Sequence, residues 1–336
     1  MYTIDRLVHC SPCRSPCWRV LAALALWLGS LGLLAPVATK ADPLPTLSLS
    51  VLQFGTAHWE LDHLQRRRLD ASHGFDLDLR LVANLPASRL ALSSGTVDGA
   101  VADLLWVQSR FEAGTRYVYL PFSSHIGDVV VPADSAITTL ADLAGKRIGV
   151  AGGADSKGWI LLQRVARQRG VDLSGARVQY AAPPLLSQAL KRGQLDAIVT
   201  YWHFAARLRG AGEMRSAIRL SELLGELSLR RDLPVLGYVF DESWVADRPE
   251  LLQRFALALT EAKQELATEL AYWSPLRLLM RDPDDNTFRE LRTGFVDGIP
   301  PFLDDDRIAD LQRLLTLVGT DRHRLIDAGL FYRAEP

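Results

Sequence analysis

Leu92-Ser-Ser-Gly95-Thr-Val97-Asp98-Gly-Ala-Val101 is written a second time 98 positions later, as Leu190-Lys-Arg-Gly193-Gln-Leu195-Asp196-Ala-Ile-Val199. Each copy reads as the last turn of a helix, a glycine stop and a short buried strand opened by an aspartate. The same offset lays Val82-Ala-Asn-Leu-Pro86 over Tyr180-Ala-Ala-Pro-Pro184, and Phe54-Gly55-Thr-Ala-His58 over Gly152-Gly153-Ala-Asp-Ser156. Three consecutive strand–loop–helix units in one register predict two similar α/β halves. A site is expected between them.

The rest of the chain fills in the halves. Leu47, Leu49 and Val51 alternate with Ser48 and Ser50, and Phe75, Leu77, Leu79 and Leu81 alternate with Asp76, Asp78 and Arg80, so both runs are predicted strands. The first half continues through a helix at 104–112 and a strand at 117–121. The second begins near Gly127 with Asp128-Val-Val-Val131 and closes with a helix starting near Trp202. Pro234-Val-Leu-Gly-Tyr-Val239 reads as a strand returning to the first half. Everything from Glu250 onward has helical periodicity only, so these helices are expected to pack back on the first half. The expected lobes are 46–126 with 236–336, and 127–235, with crossings near Ile126 and Val235.

The N-terminal segment reads as an address. Arg14 and Arg19 precede an apolar run from Val20 to Leu34, and the small-residue stretch Ala35-Pro-Val-Ala-Thr-Lys-Ala41 follows it. That order predicts a secretory signal peptide over 1–41, cleaved after Ala41; the run is shorter than the roughly 20 apolar residues of a membrane span. Cys10, Cys13 and Cys17 all lie in it, so the mature chain is expected to hold no thiol nucleophile or thiolate ligand. Net charge is −1 for the whole chain. Without the leader it becomes −4, and no basic stripe interleaved with aromatics points to nucleic acid. No His-Glu-x-x-His, Gly-x-Ser-x-Gly or phosphate-cradling Gly-Lys-Ser/Thr is present. No cofactor, metal or catalytic residue is therefore assigned.

The candidate ligand-binding residues sit where strands of the two halves end, because helix N-termini there point free amides outward. In the first half these are Gly55, Thr56, His58 and Trp59 after the first strand, Asp103 at the end of the repeated strand, and Ser123, Ser124 and His125 beside the first crossing. In the second they are Gly153, Ser156, Tyr201 and Trp202. The offset pairs Gly55 with Gly153, His58 with Ser156 and Asp103 with Tyr201. Asp98 and Asp196, at the opposite strand ends, read as scaffold. Asp103 is the one acid at the site's end, and facing the cleft it favours a ligand with an amine or N–H donors over a simple anion.

The succession of a leader, a strand–Gly-x-x-x loop–helix, Leu140-Ala-Asp-Leu-Ala-Gly-Lys146-Arg-Ile-Gly-Val150, Leu190-x-x-Gly193-x-Leu195-Asp196-Ala-Ile-Val199 and Phe240-x-x-Ser-Trp244 resembles a known family. It is similar to the periplasmic substrate-binding proteins of ABC importers, in the branch handling nitrate, taurine, aliphatic sulfonates and thiamine-pyrimidine precursors, from about Leu47 to Leu270. The resemblance implies a type II-like bilobal periplasmic-binding-protein fold, with two α/β lobes on a two-strand hinge and a helical C-terminal region packed on lobe 1. It also implies a periplasmic monomer that takes a small-molecule ligand and transiently meets an ABC permease, with no stable membrane insertion. Two other readings stand beside it. One is an accessory or sensor protein of the same fold serving a periplasmic enzyme or receptor. The other is an enzyme on a small cyclic substrate, for which His58 and Asp103 are the available acid–base pair.

Overall fold

The computed structural model describes residues 43–333. The expected leader and its three cysteines lie outside the described residues. From Leu44 onward the chain holds together as one unit.

Two five-stranded sheets carry the fold. The first runs in the order β2 (Asp76–Val82), β1 (Thr46–Leu52), β3 (Gly99–Asp103), β10 (Leu236–Asp241), β4 (Tyr117–Ser123). The second runs β7 (Arg177–Ala181), β6 (Arg147–Ala151), β8 (Ala197–Thr200), β5 (Asp128–Pro132), β9 (Met214–Arg219). Position by position the two orders match. In each, the first three strands are parallel and the fourth is an antiparallel strand that the chain lays down just after crossing from the other sheet. The repeat read in the sequence is a repeat of topology.

Its punctuation is physical. Gly95 (φ +70°) and Gly193 (φ +66°) both end their helices in the left-handed region, which a side chain resists. Asp98 accepts from Ser48 N (2.7 Å) and from Trp244 Nε1 (2.7 Å), while Asp196 accepts from Arg147 N (2.8 Å) and its guanidinium. Both aspartates tie strand starts together, far from the helix N-termini. Leu47, Leu49 and Val51 are fully buried, as the alternation requires, but Ser50 is equally buried because β1 is covered on both faces.

The helices on the candidate-site side are α1 (Thr56–Arg66), α4 (Leu104–Glu112), α5 (Lys157–Gln168) and α7 (Trp202–Gly210). α2 (Leu69–Ser72) and α3 (Leu85–Ser93) follow in the first half, α6 (Pro183–Lys191) and α8 (Glu222–Glu226) in the second. After β10 come α9 (Glu242–Asp247), α10 (Pro249–Thr268), α11 (Arg277–Met280), α12 (Asp285–Asp297) and α13 (Asp305–Leu317). α10 lies on α1 and α2, joined by His63–Glu265 at 2.7 Å and His73–Glu261 at 2.8 Å.

α12 does more than cover the first half: its main neighbour is α7 of the second. Two glycines permit that approach. A Cβ on Gly210 would lie 2.5 Å from Thr287 Cα, and one on Gly294 would lie 2.6 Å from the Trp202 ring. Glu290 pairs with Arg209 at 2.8 Å across the same seam. Helical periodicity marks an apolar face but not which half receives it.

The chain crosses between sheets after Ser123 and again between α8 and β10. Gly127 in the first crossing has φ +132°, and a Cβ there would meet Thr200 O at 2.1 Å. Ser124 N donates to Gly298 O at 3.0 Å, so the segment after α12 also holds this crossing.

Candidate ligand-binding cleft

Four of the residues singled out in the sequence are helix N-caps: Gly55 on α1, Asp103 on α4, Ser156 on α5 and Tyr201 on α7. Each follows a strand end, and each helix start leaves amides without intrahelical partners. The loop after β6 (Gly152–Ser156) is two residues longer than the loop after β1 (Gln53–Gly55). Gly152, at φ +89°, makes the extra turn. The caps therefore pair Gly55 with Ser156, and not His58 with Ser156 as the constant offset implied. Asp103 and Tyr201 do pair as caps. The first helical residues are Thr56 and Lys157.

One junction between the halves is aromatic. Trp59 and Trp202 meet edge to face with centroids 6.0 Å apart, and Phe295 from α12 lies 6.1 Å from Trp59. The His125 ring lies 5.0 Å from Trp202, and its Nε2 donates to Gly294 O at 2.5 Å. Burial pushes that imidazole below its ordinary range, so it is held neutral. Thr56, Ser123, Trp202, Lys263, Phe295 and Gly298 surround a cavity of about 10 Å³. That is room for one water at most. The Trp59 Nε1 and Thr200 Oγ1 groups are buried without a partner among the described residues.

Two candidates turn away from this space. His58 Nδ1 lies 2.9 Å from Gln53 O, which places its ring back over its own loop. Ser124 Oγ donates to Gly298 O at 3.2 Å. Lys263 was not among the sequence candidates, yet it walls the cavity. Its ammonium pairs with fully buried Glu60, donates to Phe122 O at 3.2 Å and sits 4.9 Å from the Phe122 ring centroid. Tyr238 OH donates to Glu60 Oε1 at 2.7 Å. Burial raises the Glu60 carboxyl while Lys263 pulls it back down. The available signal was Lys263 itself, a charge at helical spacing between buried Leu259 and Leu266.

The other junction is charged. Asp103 Oδ1 caps α4 by accepting from Trp106 N at 3.0 Å, and its Oδ2 accepts from Arg89 at 2.7 Å. Arg89 also stacks over Trp106 at 5.3 Å. The Asp103 charge is thus offset within the protein, which weakens the case for an amine-bearing ligand. Lys157 and Tyr201 of the second half stand close enough to feel its charge. A Cβ on Gly152 would come 3.3 Å from the Tyr201 hydroxyl, so Gly152 leaves that hydroxyl its place. Gly153 lies beside exposed Asp155 in the same loop. Burial raises the Tyr201 phenol and drives the His203 imidazole well below its ordinary 6.5. A second cavity, about 20 Å³, lies between the halves near both crossings, lined by Leu104, Ile126, Lys157, Leu161, Val235 and Leu314.

Among the described residues no three His, Cys, Asp or Glu side chains are grouped to hold a metal, and no helix is long and apolar enough to cross a membrane. The acid–base pair required by an enzymatic reading is engaged elsewhere, His58 with a backbone carbonyl and Asp103 with Arg89.

Known proteins share this architecture. The alkanesulfonate-binding protein SsuA from Xanthomonas axonopodis pv. citri, bound to MOPS, superposes with a TM-score of 0.67 at 20% identity, over 88% of this chain and 100% of that one. The periplasmic aliphatic sulphonate-binding protein SsuA from Escherichia coli gives 0.66 at 17% identity, over 84% of this chain and 97% of that one. A product of Candida albicans with the generic periplasmic binding protein fold gives 0.57 at 14% identity, over 82% and 90%. At these identities the likeness is one of fold: two α/β lobes of the periplasmic-binding-protein type. No curated protein matches the sequence. The family described as NMT1/THI5 like matches residues 71–269, most of both sheets and the start of the C-terminal helices, and the chain belongs to that family.

Proposed function

We propose that this protein captures a small organic solute between its two lobes outside the cytoplasm and delivers it to an ABC permease. One observation carries the reading. Four helix N-caps, two from each of two sheets with the same strand order, are followed by residues that line cavities between the sheets, and the described chain crosses from sheet to sheet twice. Such a frame moves as a hinge, and a ligand touching both lobes shifts the population toward closure. The lobes are 46–126 with 236–336, and 127–235; the leader is removed after Ala41, leaving a periplasmic monomer that is not an enzyme.

Thr56 and Ser123 supply hydroxyls, the Gly55, Gly153 and Ser156 segments supply amides, and Trp59, Tyr201 and Trp202 supply apolar and aromatic surface. Asp103 acts with Arg89, and His125 positions Trp202. The cavities hold little more than water, so entry requires the lobes to part. The solved alkanesulfonate-binding neighbours make small sulfur oxyacids the first solutes to screen.

A thermal-shift screen over sulfonates, carboxylates, amines and pyrimidines tests the proposal. A true ligand raises the melting temperature, is recovered unchanged, and loses affinity on Trp202→Ala. A bound solute whose affinity is indifferent to both Trp202→Ala and Asp103→Ala refutes the cleft assignment, and turnover refutes the binding role.

A further inference from the structure

The first lobe carries a second hollow, one strand's length from the cleft. It lies where β3 and β4 begin and β10 ends, at Gly99, Tyr117 and Asp241, which the strand register brings to one end of the sheet. Asp103, the cap at the cleft, is at the other end of β3. The groove measures about 360 Å³, within the range of about 300–1,000 Å³ usual for small-molecule sites. Leu92, Val97 and the Trp244 ring give it apolar walls, and Arg110, Tyr117 and Asp241 give it polar groups.

Those polar groups are unspent. The Arg110 guanidinium forms no ion pair, and its Nε is buried with no hydrogen-bond partner among the described residues. The Tyr117 ring stacks on Trp106 at 5.5 Å, and its hydroxyl makes no hydrogen bond among the described residues. Asp241 accepts from Ser243 N (2.9 Å) and Ser243 Oγ through Oδ1 alone, which leaves Oδ2 open. Asp98, the other acid of the groove, has both oxygens occupied: Oδ2 takes Ser48 N at 2.7 Å and Oδ1 takes Trp244 Nε1 at 2.7 Å. In the second lobe the equivalent Asp196 is covered by the Arg147 guanidinium, where the first lobe has the shorter Ser48 and brings in Trp244 instead. The groove therefore holds a cation and an anion that line one space without pairing. A lone carboxylate there would meet Asp241, and a lone amine would meet Arg110. A ligand carrying both charges answers both groups with charge-assisted hydrogen bonds.

We propose that this groove is a second small-molecule site, separate from the cleft, and that it takes an α-amino acid with an apolar side chain. The carboxylate is held by Arg110 and the Tyr117 hydroxyl, the ammonium by Asp241 Oδ2, and the side chain lies over Leu92 and Val97. Every lining residue comes from α3, α4, β4, β10, α9 or a loop joining first-lobe elements, so binding needs no movement of the lobes. The proposal does not rest on the solute reading above, and either can fail alone.

Isothermal titration of the full chain with L-leucine, 4-methylpentanoate and 3-methylbutylamine separates the two charges, since the second probe lacks the ammonium and the third the carboxylate. The wild type is expected to bind leucine at least about tenfold more tightly than either analogue. Arg110→Met should lower leucine affinity about tenfold, and Asp241→Asn, which keeps a capping side chain on α9, should do the same. Asp241→Asn should not weaken 4-methylpentanoate, which has no ammonium to lose a partner. A Trp202→Ala protein locates the site, and it should retain leucine. No leucine binding by the wild type, leucine no tighter than its analogues, or an affinity untouched by both groove variants each overturns the proposal. So does loss of leucine on Trp202→Ala in a protein that still unfolds cooperatively, which would move the amino acid to the cleft. The wild-type comparison of the three probes decides the matter if a variant fails to fold.

Discussion

Gly294→Ala separates two opposed effects at the seam between α12 and α7. Gly294 lies inside the helix Asp285–Asp297, so helix propensity alone favours alanine by about 1 kcal/mol. The new methyl, however, would lie 2.6 Å from Trp202 Cζ3 and 2.9 Å from Cε3. That ring cannot retreat freely: Trp59 stands edge-on at 6.0 Å, His125 lies at 5.0 Å, and Trp202 is only 7% exposed. Overpacking of this kind costs about 1–3 kcal/mol, and confinement between these two rings argues for the upper end. The expected net loss is about 2 kcal/mol, or a melting temperature lower by several degrees.

Urea unfolding of a double-mutant cycle with Trp202→Ala checks the cause. Once the ring is gone, Gly294→Ala should turn stabilising, giving a coupling of about 2–3 kcal/mol. Gly175→Ala, whose methyl would meet only Gly145 N at 3.9 Å, is the neutral control. A Gly294→Ala protein more stable than wild type, or effects additive within about 0.5 kcal/mol, refutes the close seam.

Gly127→Ala should destabilise by about 3 kcal/mol or more and reduce folded yield, since it adds left-handed strain to a 2.1 Å clash with Thr200 O. Glu60→Gln should cost about 3–5 kcal/mol by stranding the Lys263 ammonium, and Glu60→Leu with Lys263→Met should cost less than either single change; equal or greater loss in the double variant contradicts the pairing. Burial depresses the folded-state pKa of His203 and His125 below 6.5, so the unfolded chain binds more protons there. Stability should therefore fall as pH drops through about 6.5, by up to about 1.4 kcal/mol per pH unit for each histidine. His203→Phe should flatten that slope, and an unchanged pH profile would contradict the assignment.

The fold was legible because its signals are local. Glycine stops at Gly95 and Gly193, strand-opening aspartates and period-two alternation all act within a few residues, and their repetition announced two matching sheets. The site was legible only as a place. Gly55, Asp103, Ser156 and Tyr201 could be found because they follow strands, but what their side chains touch depends on distant segments. Arg89, 14 residues before Asp103, offsets its charge, and no local pattern links the two. Lys263 reaches Glu60 from 203 residues away. A two-residue difference between equivalent loops shifted the helix starts, so the constant offset missed Lys157 as the counterpart of Thr56. The docking of α12 on α7 rests on Gly210 and Gly294, whose meaning appears only when the two helices touch.

The central claim is that a solute closes two lobes on each other, and the distance between those lobes is its most direct test. Ser94 and Arg192 are exposed, end the equivalent helices α3 and α6, and stand 98 residues apart in the repeat. The chain from Asp42 onward has no cysteine, so spin labels at Ser94→Cys and Arg192→Cys would be its only two. Without solute, pulsed dipolar spectroscopy should give a distribution with a long-distance population. A solute found by thermal shift should collapse it to a single shorter distance. One unchanged distance with and without a bound solute would contradict the account.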